Sequence, residues 1–177
     1  MFYTEIRIVD EEGREVPSGS VGEVMYRGPG VARKYYKNPK ATRESFSDGW
    51  FRPGDLTRAD EEGFLYIVGR KKDMIIRGGV NIYPPEIEEI LQSHPAIYES
   101  AVIGIPDKEY GEEIGVFVVL KPGKEASREE IVQFCRQNLA AYKRPKVVEF
   151  LPSLPKASSG KVVKRDLKEK YLSGIKK

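Results

Sequence analysis

Lys161 lies in the segment PKASSGKVVKRDL, Pro155 to Leu167, where a Gly-Lys step separates an apolar run, VVEFLPSLP, from a basic segment of helical character, KRDLKEKYL. Strand, Gly-Lys and helix in that order are the layout of a phosphate-binding P-loop. Such a loop also needs a glycine five residues before the second one and a Ser or Thr after the lysine to hold magnesium. Here those positions are Pro155 and Val162, so Lys161 requires another role. Asp55, in GWFRPGDL, leaves an aromatic segment directly after Gly54, and its two carboxylate oxygens are able to accept from the two hydroxyls of a ribose. On its own the segment fits a turn aspartate better. GRKKD, Gly69 to Asp73, reads as a solvated charged link, although an arginine fixed at a domain junction, Arg70, is also able to contact a nucleotide. SGSVG, Ser18 to Gly22, looks like a phosphate loop only superficially: a strand follows it and no lysine succeeds its glycine.

Composition removes several chemistries. With one histidine, His94, a multi-histidine metal site is excluded, and so is a histidine-based triad. With one cysteine, Cys135, there is no internal disulfide, and its place in an apolar helical stripe suits a small core residue rather than a nucleophile. Thirty basic and 27 acidic residues give a net charge of +3, too balanced a mixture to indicate nucleic acid. An apolar share of 40% in 177 residues supports a packed core in one ordinary domain or two small ones. No apolar run approaches the roughly 20 residues of a membrane span. The first residues lack the layout of a secretory signal, so the expected compartment is the cytoplasm.

The elements that must position these residues follow from periodicity. EIRIVD alternates, DEEGRE turns and GEVMYRG resumes; DLTRA and FLYIVGR are joined by DEEG, so the first third reads as hairpins. NPKATRESF predicts a short helix with Asn38 as N-cap ahead of Pro39. MIIRGGVNI reads as two short strands around a Gly-Gly turn, and PPEIEEILQSH as a helix with Ile87, Ile90 and Leu91 on one face. Strands follow in SAVIGIP and IGVFVVL. Ser127 and Glu130 then have capping-box spacing for a helix that buries Ile131, Phe134, Cys135 and Leu139. VVEFLP adds a strand. The expected fold class is α+β: a β-rich part over residues 1–69, a domain boundary at Arg70 to Asp73, and over 70–177 a small α+β domain with a short sheet covered by helices.

In order, GEVMYRGPGVARKYYKNPKATRESF, GWFRPGDL, GRKKDMIIRGGVNIYPPEIE, YKRP and PKASSGKVVKRDL resemble the acyl-CoA synthetase branch of the acyl-adenylate-forming enzymes, over essentially the whole chain. The resemblance implies a two-step reaction: a carboxylate and ATP give acyl-AMP and pyrophosphate, and a thiol, usually that of CoA, then displaces AMP. It makes Lys161 the adenylation lysine, whose cation stabilises negative charge as the α-phosphorus is attacked. Asp55 becomes the ribose-binding residue, Arg70 the arginine beside the nucleotide, and Lys72 the hinge about which the small domain rotates between the two steps. Gly78, Gly79 and Asn81 then replace Lys161 at the active site, a glycine there letting the pantetheine arm of CoA pass close to backbone. A type I′ or II′ hairpin turn accounts for the same glycines and is compatible with that role.

Two positions depart from the family's usual wording: Ala157 stands where Thr is common and Gly78 where Ser is common. The family's phosphate loop, acyl pocket and Thr-Glu magnesium motif are implied to lie upstream of Met1. The chain therefore reads as a C-terminal portion, inactive alone, of an enzyme that uses ATP, CoA and Mg2+, with no Mg2+ ligand here. Its implied partners are a small-molecule carboxylate and its own N-terminal domain. Two alternatives are a stand-alone noncatalytic module that binds a nucleotide, CoA or a partner chain, and a ligase that passes its adenylate to a carrier-protein thiol.

Overall fold

The computed structural model describes residues 3–175 and divides into two compact units, Met1–Lys72 and Asp73–Lys177. In the first, β1 (Glu5–Val9), β2 (Val21–Arg27), β3 (Phe46–Ser47), β4 (Trp50–Phe51), β5 (Asp55–Ala59) and β6 (Leu65–Arg70) form an antiparallel sheet in the order β3-β4-β2-β5-β6, with β1 also paired to β2. The helix α1 (Pro39–Ser45) starts as its sequence predicts: the Asn38 side chain accepts from the Ala41 N–H at 3.1 Å and proline occupies the first turn. Val9, Met25 and Trp50 form a small core, and the guanidinium groups of Arg7 and Arg27 lie over the Trp50 ring at 4.7 and 4.6 Å. Strand β6 is an edge, and Leu65 and Ile67 on it are exposed.

The second unit contains β7 (Ile75–Arg77), β8 (Val80–Ile82), α2 (Pro84–Gln92), β9 (Ile97–Asp107), β10 (Gly111–Leu120), α3 (Arg128–Asn138), β11 (Val147–Phe150) and α4 (Lys164–Ile175). The sheet runs β11-β10-β7-β8, with β9 paired along β10; β11 is parallel to β10 and the other pairs are antiparallel. Alternation along β10 builds two cores. Ile114, Val116 and Val118 face Ile87 and Leu91 of α2 and Ile131 and Cys135 of α3, whereas Phe117 and Val119 join Leu154 and Leu167 of α4. The α+β class and the helix-covered sheet are as expected.

Both central strands are longer than their apolar runs. They form one hairpin whose polar end, DKEYGEE, carries no alternating pattern to announce it. Asp107 organises that turn: its Oδ1 accepts from the N–H groups of Glu109 and Tyr110 at 2.9 and 3.0 Å. Glu113, almost fully buried, is neutralised by a two-pronged bond from Arg77 at 2.8 and 2.9 Å. His94 is also buried. Its Nδ1 accepts from the Ala96 N–H at 3.3 Å and its ring meets Phe134 edge-on, which makes it a core histidine. Ser127 caps α3 by accepting from Glu130 N–H, while the Glu130 carboxylate lies 3.7 Å from His94 Nε2. No helix among the described residues is long and apolar enough to cross a membrane.

The Lys146 ammonium, 2.7 Å from Asp107 Oδ2, together with the two turn N–H groups, holds the Asp107 carboxyl down at about 2. Because the folded value lies below the ordinary one, this contribution to stability is complete above the usual carboxylate range and is lost as pH falls through the folded value. Asp107→Asn keeps an acceptor for the turn but removes the charge. The variant is expected to melt below the parent near neutral pH, the gap closing as the pH approaches about 2. Thermal unfolding followed by circular dichroism checks this, and a gap that persists undiminished into acid contradicts it.

Candidate functional site

Asp55 opens β5 directly opposite Arg70, which ends β6, so two residues fifteen apart in sequence meet across one strand pair. Arg70 Nε donates to Asp55 Oδ1 at 2.7 Å and Arg70 Nη2 to the Pro53 carbonyl at 3.0 Å. Lys71 N–H donates to the Gly54 carbonyl at 2.9 Å, which carries the pairing one residue past Asp55 and Arg70 at the open end of the hairpin. Both side chains remain partly open to solvent. One Asp55 oxygen is thus fixed by a guanidinium, while Oδ2 has no partner among the described residues and is available to a hydroxyl donor. Tyr26 is a third member that the sequence did not reveal: burial, and then the Asp55 charge, push its phenol upward. Lys72 is exposed on the 3-10 turn Lys71–Asp73 and is the last residue of the first unit.

Gly78 and Gly79 have φ of 56° and 80° and connect β7 to β8 with Arg77 opposite Val80. Two consecutive left-handed residues in a two-residue loop make a type I′ turn, which glycine adopts at no steric cost. The two glycines differ in their surroundings. Gly78 N–H donates to the Tyr110 carbonyl at 2.9 Å, and a Cβ on Gly78 would come within 3.1 Å of the Tyr110 ring. A Cβ on Gly79 would meet nothing within 4 Å. Asn81 is exposed on β8, opposite Ile76. Tyr110 carries the Arg77 guanidinium over its ring at 4.4 Å, so the aromatic of the polar DKEYGEE turn backs the Gly-Gly turn. No periodicity in the sequence reports that contact.

Lys161 sits on a separate, tightly closed hairpin. Ala157 N–H donates to the Lys161 carbonyl at 2.9 Å, Gly160 N–H to the Ala157 carbonyl at 2.9 Å, and Val163 N–H to the Pro155 carbonyl at 2.8 Å. Lys156 and Val162 bridge across it, and Gly160 takes the left-handed corner with φ of 80°. The Lys161 side chain is exposed and makes no ion pair among the described residues. The structure thus brings Asp55 to Arg70, and Gly78 to Gly79 and Asn81, while Lys161 stands alone on its own loop. Among the described residues there is no group of three or more His, Cys, Asp or Glu placed to hold a metal ion.

Known proteins are similar to this chain over nearly its whole length. The AMP-binding enzyme C-terminal domain family matches residues 86–161, a match that ends on Lys161, and the AMP-binding enzyme family matches residues 1–36. A long-chain-fatty-acid–CoA ligase of Escherichia coli O6:H1 is 45% identical over 166 residues, covering 94% of this chain and 29% of the relative. A 2-succinylbenzoate–CoA ligase of Bacillus cytotoxicus is 44% identical over 169 residues, covering 96% of this chain and 34% of the relative. The solved o-succinylbenzoate CoA synthetase of Bacillus subtilis, in complex with its acyl-adenylate intermediate, superposes with a TM-score of 0.88 at 40% identity, over 95% of this chain and 34% of that one. The chain spans about a third of the length of these relatives.

Cys135 stays outside this chemistry. It is fully buried beside Ile131, and burial pushes its thiol up to about 11. The native chain is expected to resist a maleimide at neutral pH and to be labelled once after unfolding, as intact mass will show; stoichiometric labelling of the folded chain contradicts the core assignment.

Proposed function

The chain belongs to the AMP-binding enzyme family and corresponds to the C-terminal part of its CoA ligases, and on that premise we propose that it serves an ATP-dependent, AMP-forming acyl-CoA synthetase. In the first step a carboxylate oxygen attacks the α-phosphorus of ATP and pyrophosphate leaves with its bond electrons, giving acyl-AMP. In the second, the CoA sulfur attacks the acyl carbon and AMP leaves. The observation that carries this reading is Lys161: an exposed ammonium with no carboxylate partner among the described residues, on a bonded and glycine-cornered loop.

In the proposed chemistry Lys161 meets the substrate carboxylate and the α-phosphate, where charge accumulates as phosphorus is attacked. Asp55, with one oxygen pinned by Arg70, offers the other to a ribose hydroxyl, and Arg70 keeps positive charge beside the nucleotide. Lys72, on the short turn between the units, is the proposed hinge residue. The open side of Gly79 is the proposed passage for the pantetheine thiol, with Gly78 and Asn81 flanking it. Mg2+ would offset the charge of ATP in the complete enzyme, held by residues other than those described here.

The test is a graft in which this chain replaces the matching third of the Bacillus cytotoxicus 2-succinylbenzoate–CoA ligase. Loss of one charge-stabilising donor typically costs on the order of 10²–10³ in rate. Lys161→Ala is therefore expected to slow acyl-AMP formation, followed by pyrophosphate exchange, by at least about 10²-fold. Thioester formation from supplied acyl-AMP should stay within about twofold, because the lysine charge acts in only one step. Equal losses in both steps contradict the assignment. The 177-residue chain alone is expected to give no exchange, since it offers Lys161 no positioned reactants.

A further inference from the structure

The hairpin that presents Lys161 has no core of its own. Residues 156–161 are all exposed, and the nearest fully packed anchors are Leu154 before it and Leu167 after it. Its orientation has to be set at the stem. There, Lys156 Nζ lies 2.6 Å from Glu99 Oε2 on β9, and Lys164 Nζ lies 2.7 Å from Glu88 Oε1 on α2. We propose that these two ion pairs form a clamp that aims Lys161 at its substrate, so that Glu88, Glu99, Lys156 and Lys164 are positioning residues for the adenylation step. The inference rests on the reading of Lys161 given above.

Three features separate the Lys164–Glu88 pair from ordinary surface pairing. Lys164 is only 17% exposed and Glu88 24%, so their attraction is poorly screened and loss of either partner strands a desolvated charge. Glu88 is itself fixed, since its Oε1 also accepts from the Val102 N–H at 2.8 Å. Lys164 also opens α4, where a cation opposes the helix dipole. Helix stability does not account for a lysine there, whereas pairing with α2 does. The second pair, on the other stem strand, is more exposed, and Glu99 holds the proton of the Lys156 ammonium more tightly than usual. Three lysines thus lie within nine residues of one hairpin, two neutralised by carboxylates and Lys161 without an ion pair among the described residues.

Lys168 supplies the control. It lies one turn further along α4 and pairs with Glu112 at 2.9 Å, so it ties down the same helix away from the hairpin stem. Hydrogen exchange on the chain itself reads the clamp without any activity. Lys156→Met and Lys164→Met are each expected to cut protection of the Ala157, Gly160 and Val163 amides about tenfold while the β9 and β10 amides keep theirs. In the graft, Lys164→Met should slow acyl-AMP formation about tenfold, as misplacement of a reacting group does. Thioester formation from supplied acyl-AMP should remain within about twofold, Lys164→Arg should restore most of the loss, and Lys168→Met should be silent in both measurements.

Unchanged protection overturns the proposal. So does a Lys168→Met variant that loses as much as Lys164→Met, which would assign the effect to helix docking. A loosened hairpin with undiminished acyl-AMP formation overturns it as well, provided Lys161→Ala still abolishes that step. If Lys161→Ala is itself silent, the functional reading has failed, and the exchange data alone decide whether the clamp exists.

Discussion

Strand β10 is the constraint on which the second unit depends. Ile114, Val116, Phe117 and Val118 on it are all essentially inaccessible, alternately feeding the two cores. Each such side chain is worth about 1.5–3 kcal/mol on burial, so a one-residue slip would cost more than the marginal stability of a domain allows. Register at β10 fixes everything attached to it. Its start holds β7 through the Gly111–Arg77 pair and the buried Arg77–Glu113 bond, which sets the Gly78–Gly79 turn. Its middle pairs with β11, the strand before the Lys161 hairpin, and Phe117 packs against Tyr171 of α4, the helix after it.

Around this frame, several cations are each held by a carboxylate. Arg77 has Glu113, Lys164 has Glu88, Lys146 has Asp107, and in the first unit Arg70 has Asp55. Partly buried pairs contribute less through net stability than through the penalty for any arrangement that separates them. They therefore specify geometry. Lys161 and the open side of Gly79 take no part in these pairs.

Local signals were legible in the sequence because their physics is local. Asn38 and Ser127 cap the helices they precede, two glycines make the predicted turn, and the apolar stripe of α3 faces the core with Phe134 only half-buried against His94. What was not legible depends on partners distant in sequence. The full length of the β9–β10 hairpin is hidden because its turn is polar, and Glu113 reads as a surface acid until Arg77, 36 residues away, is placed beside it. Asp55 and Arg70 lie fifteen residues apart in a turn and a linker, and although the resemblance assigns both to the nucleotide, only the β5–β6 register makes them neighbours. The lysines at the Lys161 stem look like a solvated basic run until α2 and β9 supply their carboxylates.

In the proposed function labour is divided between two loops of the second unit, the Lys161 hairpin for acyl-AMP formation and the Gly78–Gly79 turn for CoA transfer. Gly79, when substituted, separates the two. Its φ of 80° penalises Ala and Leu alike, and its open side means the two differ chiefly in how far they project. Single-turnover CoA transfer from supplied acyl-AMP, measured for Gly79→Ala and Gly79→Leu in the grafted enzyme, isolates that projection. Transfer is expected to fall from Ala to Leu by at least about tenfold, with acyl-AMP formation the same in both. A folded Gly79→Leu enzyme that transfers CoA as fast as Gly79→Ala would contradict it.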